Sequence, residues 1–116
     1  MSRRMEQVNE LVAQVVCEIV LSELSDPAIS ALVTITGAKV SPDLRHAKIF
    51  FSVLGNDEEW EIIAKALNKA AGFIQRIMAQ RIVLKLTPKL TFIPDHTIEH
   101  AQKIEGILDN ITDVDE

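Results

Sequence analysis

Three cations and a glycine, Lys65, Lys69, Gly72 and Arg76, follow one another at spacings of four, three and four residues. On a continuous helix that spacing puts all four on one stripe. A glycine there exposes backbone, and the neighbouring ammonium and guanidinium groups supply positive charge. Close backbone approach combined with positive charge is what a phosphate chain requires. Lys65, Lys69 and Arg76 are therefore candidate phosphate contacts, with the backbone of Ala70, Ala71 and Gly72 among them. Arg3, Arg4, Arg45, Lys48, Arg81, Lys85 and Lys89 complete the candidate RNA-binding set.

A second constellation, His96-Thr97-Ile98-Glu99-His100, matches the H-x-x-E-H pattern of one class of zinc peptidase. There, two histidines four apart grip the metal and the glutamate acts as base. The context argues against that chemistry. Only 16 residues follow His100, five of them acidic; they are too few for a substrate cleft and would have to supply any third ligand, so no metal site is expected. Gly37, Gly55, Gly72 and Gly106 are all isolated, which excludes a phosphate-cradling glycine loop. The single cysteine, Cys17, excludes an intramolecular disulfide and lies in an apolar helical pattern, where a small buried hydrophobe is expected. Neither a catalytic group nor a cofactor is expected.

Composition points the same way. The 116 residues suit one domain, and at 47% hydrophobic and 25% charged the chain lies in the ordinary globular range. No apolar run reaches the roughly 18 residues of a membrane span, and residues 1–5 do not lead into a signal-peptide core. A cytoplasmic protein is expected, and nothing demands more than a monomer. The net charge of −5 argues against a nucleic-acid partner only in bulk. Residues 62–94 carry six basic side chains and no acidic one, whereas residues 95–116 carry seven acids and one lysine. Recognition follows the local field.

The positioning elements follow from periodicity. Val8, Leu11, Val12, Val15, Ile19 and Val20 recur at helical spacing over residues 5–24, and the helix should stop before Asp26-Pro27. Residues 31–40 and 45–54 read as a hairpin around Ser41-Pro42-Asp43-Leu44, with Ala47, Ile49, Phe51 and Val53 on one face and Lys48, Phe50 and Ser52 on the other. Asn56 and Glu59 form a capping box for a helix whose stripe is Trp60, Ile63, Ala64, Leu67, Ala71, Ile74 and Met78. That pattern runs through Gly72. Glycine inside a helix costs about 1 kcal/mol against alanine, so either close packing or a backbone-exposing kink has to account for it. A third strand is predicted over residues 89–93, after Pro88, and then a short amphipathic helix through Ile98, Ile104, Ile107 and Leu108. With one apolar face per helix and one sheet face to cover, a two-layer α+β domain is expected.

At this point the residues resemble a known family, ribosome-binding factor A, from about residue 4 to residue 108. The resemblance rests on Asp26-Pro27, on Ser41-Pro42-Asp43-Leu44 followed by Ala47-Lys48-Ile49, on Ala70-Ala71-Gly72-Phe73-Ile74, and on Thr87-Pro88-Lys89-Leu90-Thr91-Phe92 with Asp95 three residues on. It implies a type II KH-like domain of order α-β-β-α-kink-α-β. The helices of such a domain pack on one face of a three-stranded sheet, with a short C-terminal helix added. On this reading residues 1–110 form the domain and residues 111–116 an acidic, disordered tail. In that family an Ala-x-Gly kink stands where KH domains carry a backbone-clamping loop, and Ala70-Ala71-Gly72 matches it. The resemblance further implies binding to the free small (30S) ribosomal subunit, help in maturing its 16S rRNA, and a role in growth in the cold. Two positions depart from the family pattern: Ala28 and Gln75 stand where arginine is frequent. The competing expectation is a KH-like protein–protein module using the acidic segment against a partner such as a basic ribosomal protein.

Overall fold

Val12, Val15, Val16, Ile19 and Val20 turn the first helix, α1 (Arg3–Glu23), inward. The computed structural model describes residues 3–24, 26–84 and 86–96. The expected C-terminal helix and acidic tail lie outside the described residues. Leu11, expected on the inward stripe, is 39% exposed. It sits about 100° round the helix from Val12, at the stripe's margin, and Val16 takes the inward place. Cys17, expected buried, is half-buried beside that stripe.

A short helix, α2 (Pro27–Leu32), occupies a stretch whose last two residues were expected to be strand. Proline's fixed φ suits a first helical position, and Ile29 N–H closes on Asp26 O at 3.1 Å. Extended chain begins only at Val33, where β-branched residues take over.

The sheet has the order β1-β2-β3. Strand β1 (Val33–Val40) runs antiparallel to β2 (His46–Val53), and β3 (Lys89–Pro94) runs parallel to β2. The β1–β2 turn is closed by Leu44 N–H on Ser41 O and Ser41 N–H on His46 O, both at 2.8 Å. Leu44 adopts a left-handed φ of 62° to bring the chain back into register. A bulge lies between Ile35 and Gly37. Beyond it the pairs run Gly37–Phe50, Ala38–Ile49, Lys39–Lys48 and Val40–Ala47.

Along β2, Ala47, Ile49, Phe51 and Val53 are buried, whereas His46, Lys48, Phe50 and Ser52 face out. Among the described residues the helices cover the inner face only. Helix α3 (Asp57–Lys69) starts at the predicted capping box: Asn56 Oδ1 accepts Glu59 N–H at 2.9 Å, and Glu59 Oε1 accepts Asn56 N–H at 3.0 Å. Trp60, Ile63 and Leu67 of α3, with Ile74 and Met78 of α4 (Ala71–Arg81), meet Phe51, Leu90 and Phe92 in a single core. Phe51 anchors it, with ring centroids 6.1 Å from Trp60 and 6.5 Å, edge-on, from Phe92. Such pairs add about 0.5–1.5 kcal/mol beyond burial. At the sheet's β1 edge, Asn9 Oδ1 of α1 accepts Val40 N–H at 2.8 Å. The result is the expected α+β order, α-β-β-α-kink-α-β, with α2 added.

Candidate nucleic-acid interface

The apolar stripe of α3 and α4 is continuous, yet the helical backbone is not. The ladder of α3 ends with Ala70 N–H on Ala66 O at 3.0 Å, and that of α4 begins with Ile74 N–H on Ala70 O at 2.9 Å. Ala70 itself sits at φ −86°, ψ −2° and offers no capping side chain. The amides of Ala71, Gly72 and Phe73 thus form the uncapped first turn of α4, and no acidic residue lies in that turn. A helix start carries partial positive charge and favours anions.

Gly72 is exposed, and neither crowding nor an unusual φ explains it. A Cβ added there would meet only Arg76 Nη1, at 3.8 Å, and its φ lies outside the left-handed region. Close packing is therefore not the reason for this glycine. The same distance places the Arg76 guanidinium beside the Gly72 backbone. Lys69 is exposed just before the break. Lys65, one turn earlier, makes only a solvent-exposed contact with Glu61 at 3.7 Å, the kind of pair that contributes about 0–1 kcal/mol. Ala70 and Ala71 are half-buried, packing side chains against the core while their backbone borders the break.

Two amides hold this break to the sheet. Asn68 Oδ1 accepts Phe92 N–H at 2.9 Å, and its Nδ2 donates to Phe92 O at 3.2 Å. Past the break, Gln75 Oε1 accepts Leu90 N–H at 3.3 Å. Helices on both sides of the break are thereby fastened to the free edge of β3. Gln75 thus has a backbone-positioning role in this chain. Neither amide was anticipated from the sequence, because both act on a strand whose neighbours only the tertiary fold defines.

The other candidate cations divide. Arg81 bonds Glu23 through Nη2 at 3.0 Å and lies 3.9 Å from Glu18, so it ties α4 to α1. Arg3 and Arg4 are exposed at the start of α1. Arg45, Lys48 and Lys89 gather at the hairpin end of the sheet, with Arg45 3.9 Å from Asp43. Lys85 lies outside the described residues. Asp43 accepts from the Ser41 hydroxyl at 2.6 Å and from Arg45 N–H at 3.0 Å, and these bonds, the hydroxyl first, hold its carboxyl below the usual carboxylate range. Lys39, missing from the candidate set, stands directly across from Lys48. Counting outward from the Ser41–Leu44 turn would have found it.

Of the zinc-type motif, only His96 is described; its ring stacks on Trp60 with centroids 4.0 Å apart. Among the described residues no group of three or more His, Cys, Asp or Glu side chains is arranged to hold a metal. Nor is any helix among them long and apolar enough to cross a membrane.

Comparison with known proteins accords with this architecture. The family model described as Ribosome-binding factor A matches residues 4–108. The ribosome-binding factor A of Coxiella burnetii is 39% identical over 109 residues, 94% of this chain and 90% of the relative. The solution NMR structure of a Thermotoga maritima protein described as a candidate ribosome binding factor A superposes with a TM-score of 0.73 at 29% identity, covering 85% of this chain and 93% of that one. A homology model of the Thermus thermophilus ribosome binding factor A, fitted into the cryo-EM map of a 30S complex, shares the fold at a TM-score of 0.60 and 20% identity, over 75% of this chain and 90% of that one. Nearly every described element lies within the matched span, and the chain belongs to the ribosome-binding factor A family.

Proposed function

We propose that the protein is an RNA-binding assembly factor that docks on the free small ribosomal subunit in the cytoplasm and assists maturation of its 16S rRNA. Residues 1–110 serve as its RNA-binding domain. It acts by docking, without covalent chemistry, cofactor or metal. The observation that carries this reading is the interrupted helix: an uncapped α4 start at Gly72, with the Arg76 guanidinium beside its backbone and Lys65 and Lys69 leading up to it. A phosphate set against Gly72 would meet backbone N–H groups, the positive end of a helix dipole and a guanidinium together. Family membership supplies the ribosomal target, and a homology model of the Thermus thermophilus ribosome binding factor A has been fitted into the map of a 30S complex. The alternative, a protein-binding module built on residues 95–116, has no observation in its favour.

Two measurements test the proposal. In sedimented lysate the protein should travel with free small subunits and not with complete ribosomes. The variant Lys65→Glu/Lys69→Glu/Arg76→Glu should lose that comigration. On single-stranded RNA, removing three phosphate contacts should also make the slope of log K against log salt shallower by about 2. Unchanged affinity of the triple variant at low salt would refute the site.

A further inference from the structure

Among the described residues the helices cover only one face of the sheet, and the other carries a like-charge pair. Lys39 of β1 and Lys48 of β2 are direct cross-strand partners, both exposed. Side chains so placed have Cβ atoms about 4.5–5.5 Å apart, and like charges there are destabilising. No carboxylate among the described residues pairs with either lysine. With Val40, Ser41, Pro42 and His46 they line a hollow of about 260 Å³ at the hairpin end of the sheet. The next outward-facing pair is Gly37 and Phe50. Phe50 is half-buried, and its ring does not fold over the glycine: a Cβ built on Gly37 would find nothing within 4 Å. An open patch thus lies directly across from an aromatic ring, one step along the strands from two unpaired ammonium groups.

We propose that this outer sheet face is a second RNA-binding surface, separate from the interrupted helix. Lys39 and Lys48 take a phosphate of single-stranded RNA, and a base stacks on Phe50 in the space left by Gly37. The inference rests on the RNA-binding reading above and adds a site to it. Charge complementarity selects the partner: two adjacent cations require a polyanion, and an accessible aromatic ring beside them suits a base better than a carboxylate peptide. Stacking on aromatic side chains tolerates any sequence, because every base has a π-face.

The test is a titration of the full-length, nitrogen-15-labelled protein with a short oligouridylate at low salt, following backbone amides. Amides of Gly37, Lys39, Lys48 and Phe50 should shift along with those around Gly72. In Lys39→Gln/Lys48→Gln the sheet-face shifts should vanish while those around Gly72 persist, and the salt slope should become shallower by about 0.7, for the one phosphate lost. Phe50→Ala should weaken sheet-face binding by about tenfold. Silent sheet-face amides with a responsive Gly72 region would overturn this inference alone. Silence in both regions would overturn the RNA-binding reading together with it. Sheet-face shifts with polyglutamate but not with oligouridylate would overturn it in favour of an acidic protein partner.

Discussion

Gly72→Ala separates what the fold needs from what the interface needs. The added methyl would lie 3.8 Å from Arg76 Nη1, an ordinary contact, and the backbone there does not require positive φ. Folding therefore loses nothing and gains helix propensity, which is about 0.5–1 kcal/mol in a helix interior. Because Gly72 is only the second residue of α4, the lower end, about 0.5 kcal/mol, is the better figure. For a domain near this size that raises Tm by about 2–4 °C. Binding should move the other way. The methyl stands between a docking phosphate and the α4 amides, and losing one charge-assisted hydrogen bond costs about 1.5–3 kcal/mol, or roughly 10- to 100-fold in affinity. Calorimetric melting combined with RNA binding by fluorescence anisotropy reads both numbers on one sample. A lowered Tm would refute the steric argument. A raised Tm with unchanged affinity would show that RNA does not approach this backbone.

Three more predictions concern the supports of the two surfaces. Asn68→Ala leaves the Phe92 N–H and C=O without their side-chain partners; it should cost about 1–3 kcal/mol by denaturant titration and weaken RNA binding even though Asn68 carries no charge. Lys48→Glu replaces the repulsion across from Lys39 by attraction, so stability should rise by about 0.2–1 kcal/mol in a thermal melt, an effect that fades in high salt. Asp43, its carboxyl held below the ordinary range by Ser41 and Arg45, contributes stability above its unfolded pKa that is lost as pH falls through the folded one. Its NMR titration midpoint should accordingly lie below 3.8, and Asp43→Asn should flatten the acid limb of the stability profile.

Local chemistry was legible in the sequence wherever a few neighbouring residues decide the outcome. The Asn56–Glu59 capping box and the Ser41–Leu44 turn are set by side chains within three residues of one another, and both form where expected, the capping box with both of its reciprocal bonds. The break at Ala70–Gly72 was visible as a glycine within an unbroken apolar stripe, although only the Cβ geometry separates a kink from tight packing. Helix α2 escaped notice because six residues are too few to display a period. The amides of Asn68 and Gln75 escaped for another reason: their partners are set by tertiary packing, which no spacing along the chain records, whereas Lys39 lay within reach of counting outward from the turn.

Asn9, Asn68 and Gln75 have a further consequence. A three-stranded sheet presents two outer strands, and unpaired amide and carbonyl groups along them invite another chain to add on as a fourth strand. In this fold Asn9 occupies the Val40 amide on one side, and Asn68 and Gln75 occupy the Phe92 and Leu90 groups on the other. Among the described residues, side chains that carry no charge thus take up backbone groups on both outer strands that a fourth strand would otherwise use. The protein can therefore keep its surface cations free for a polyanion and does not need them as guards against self-association.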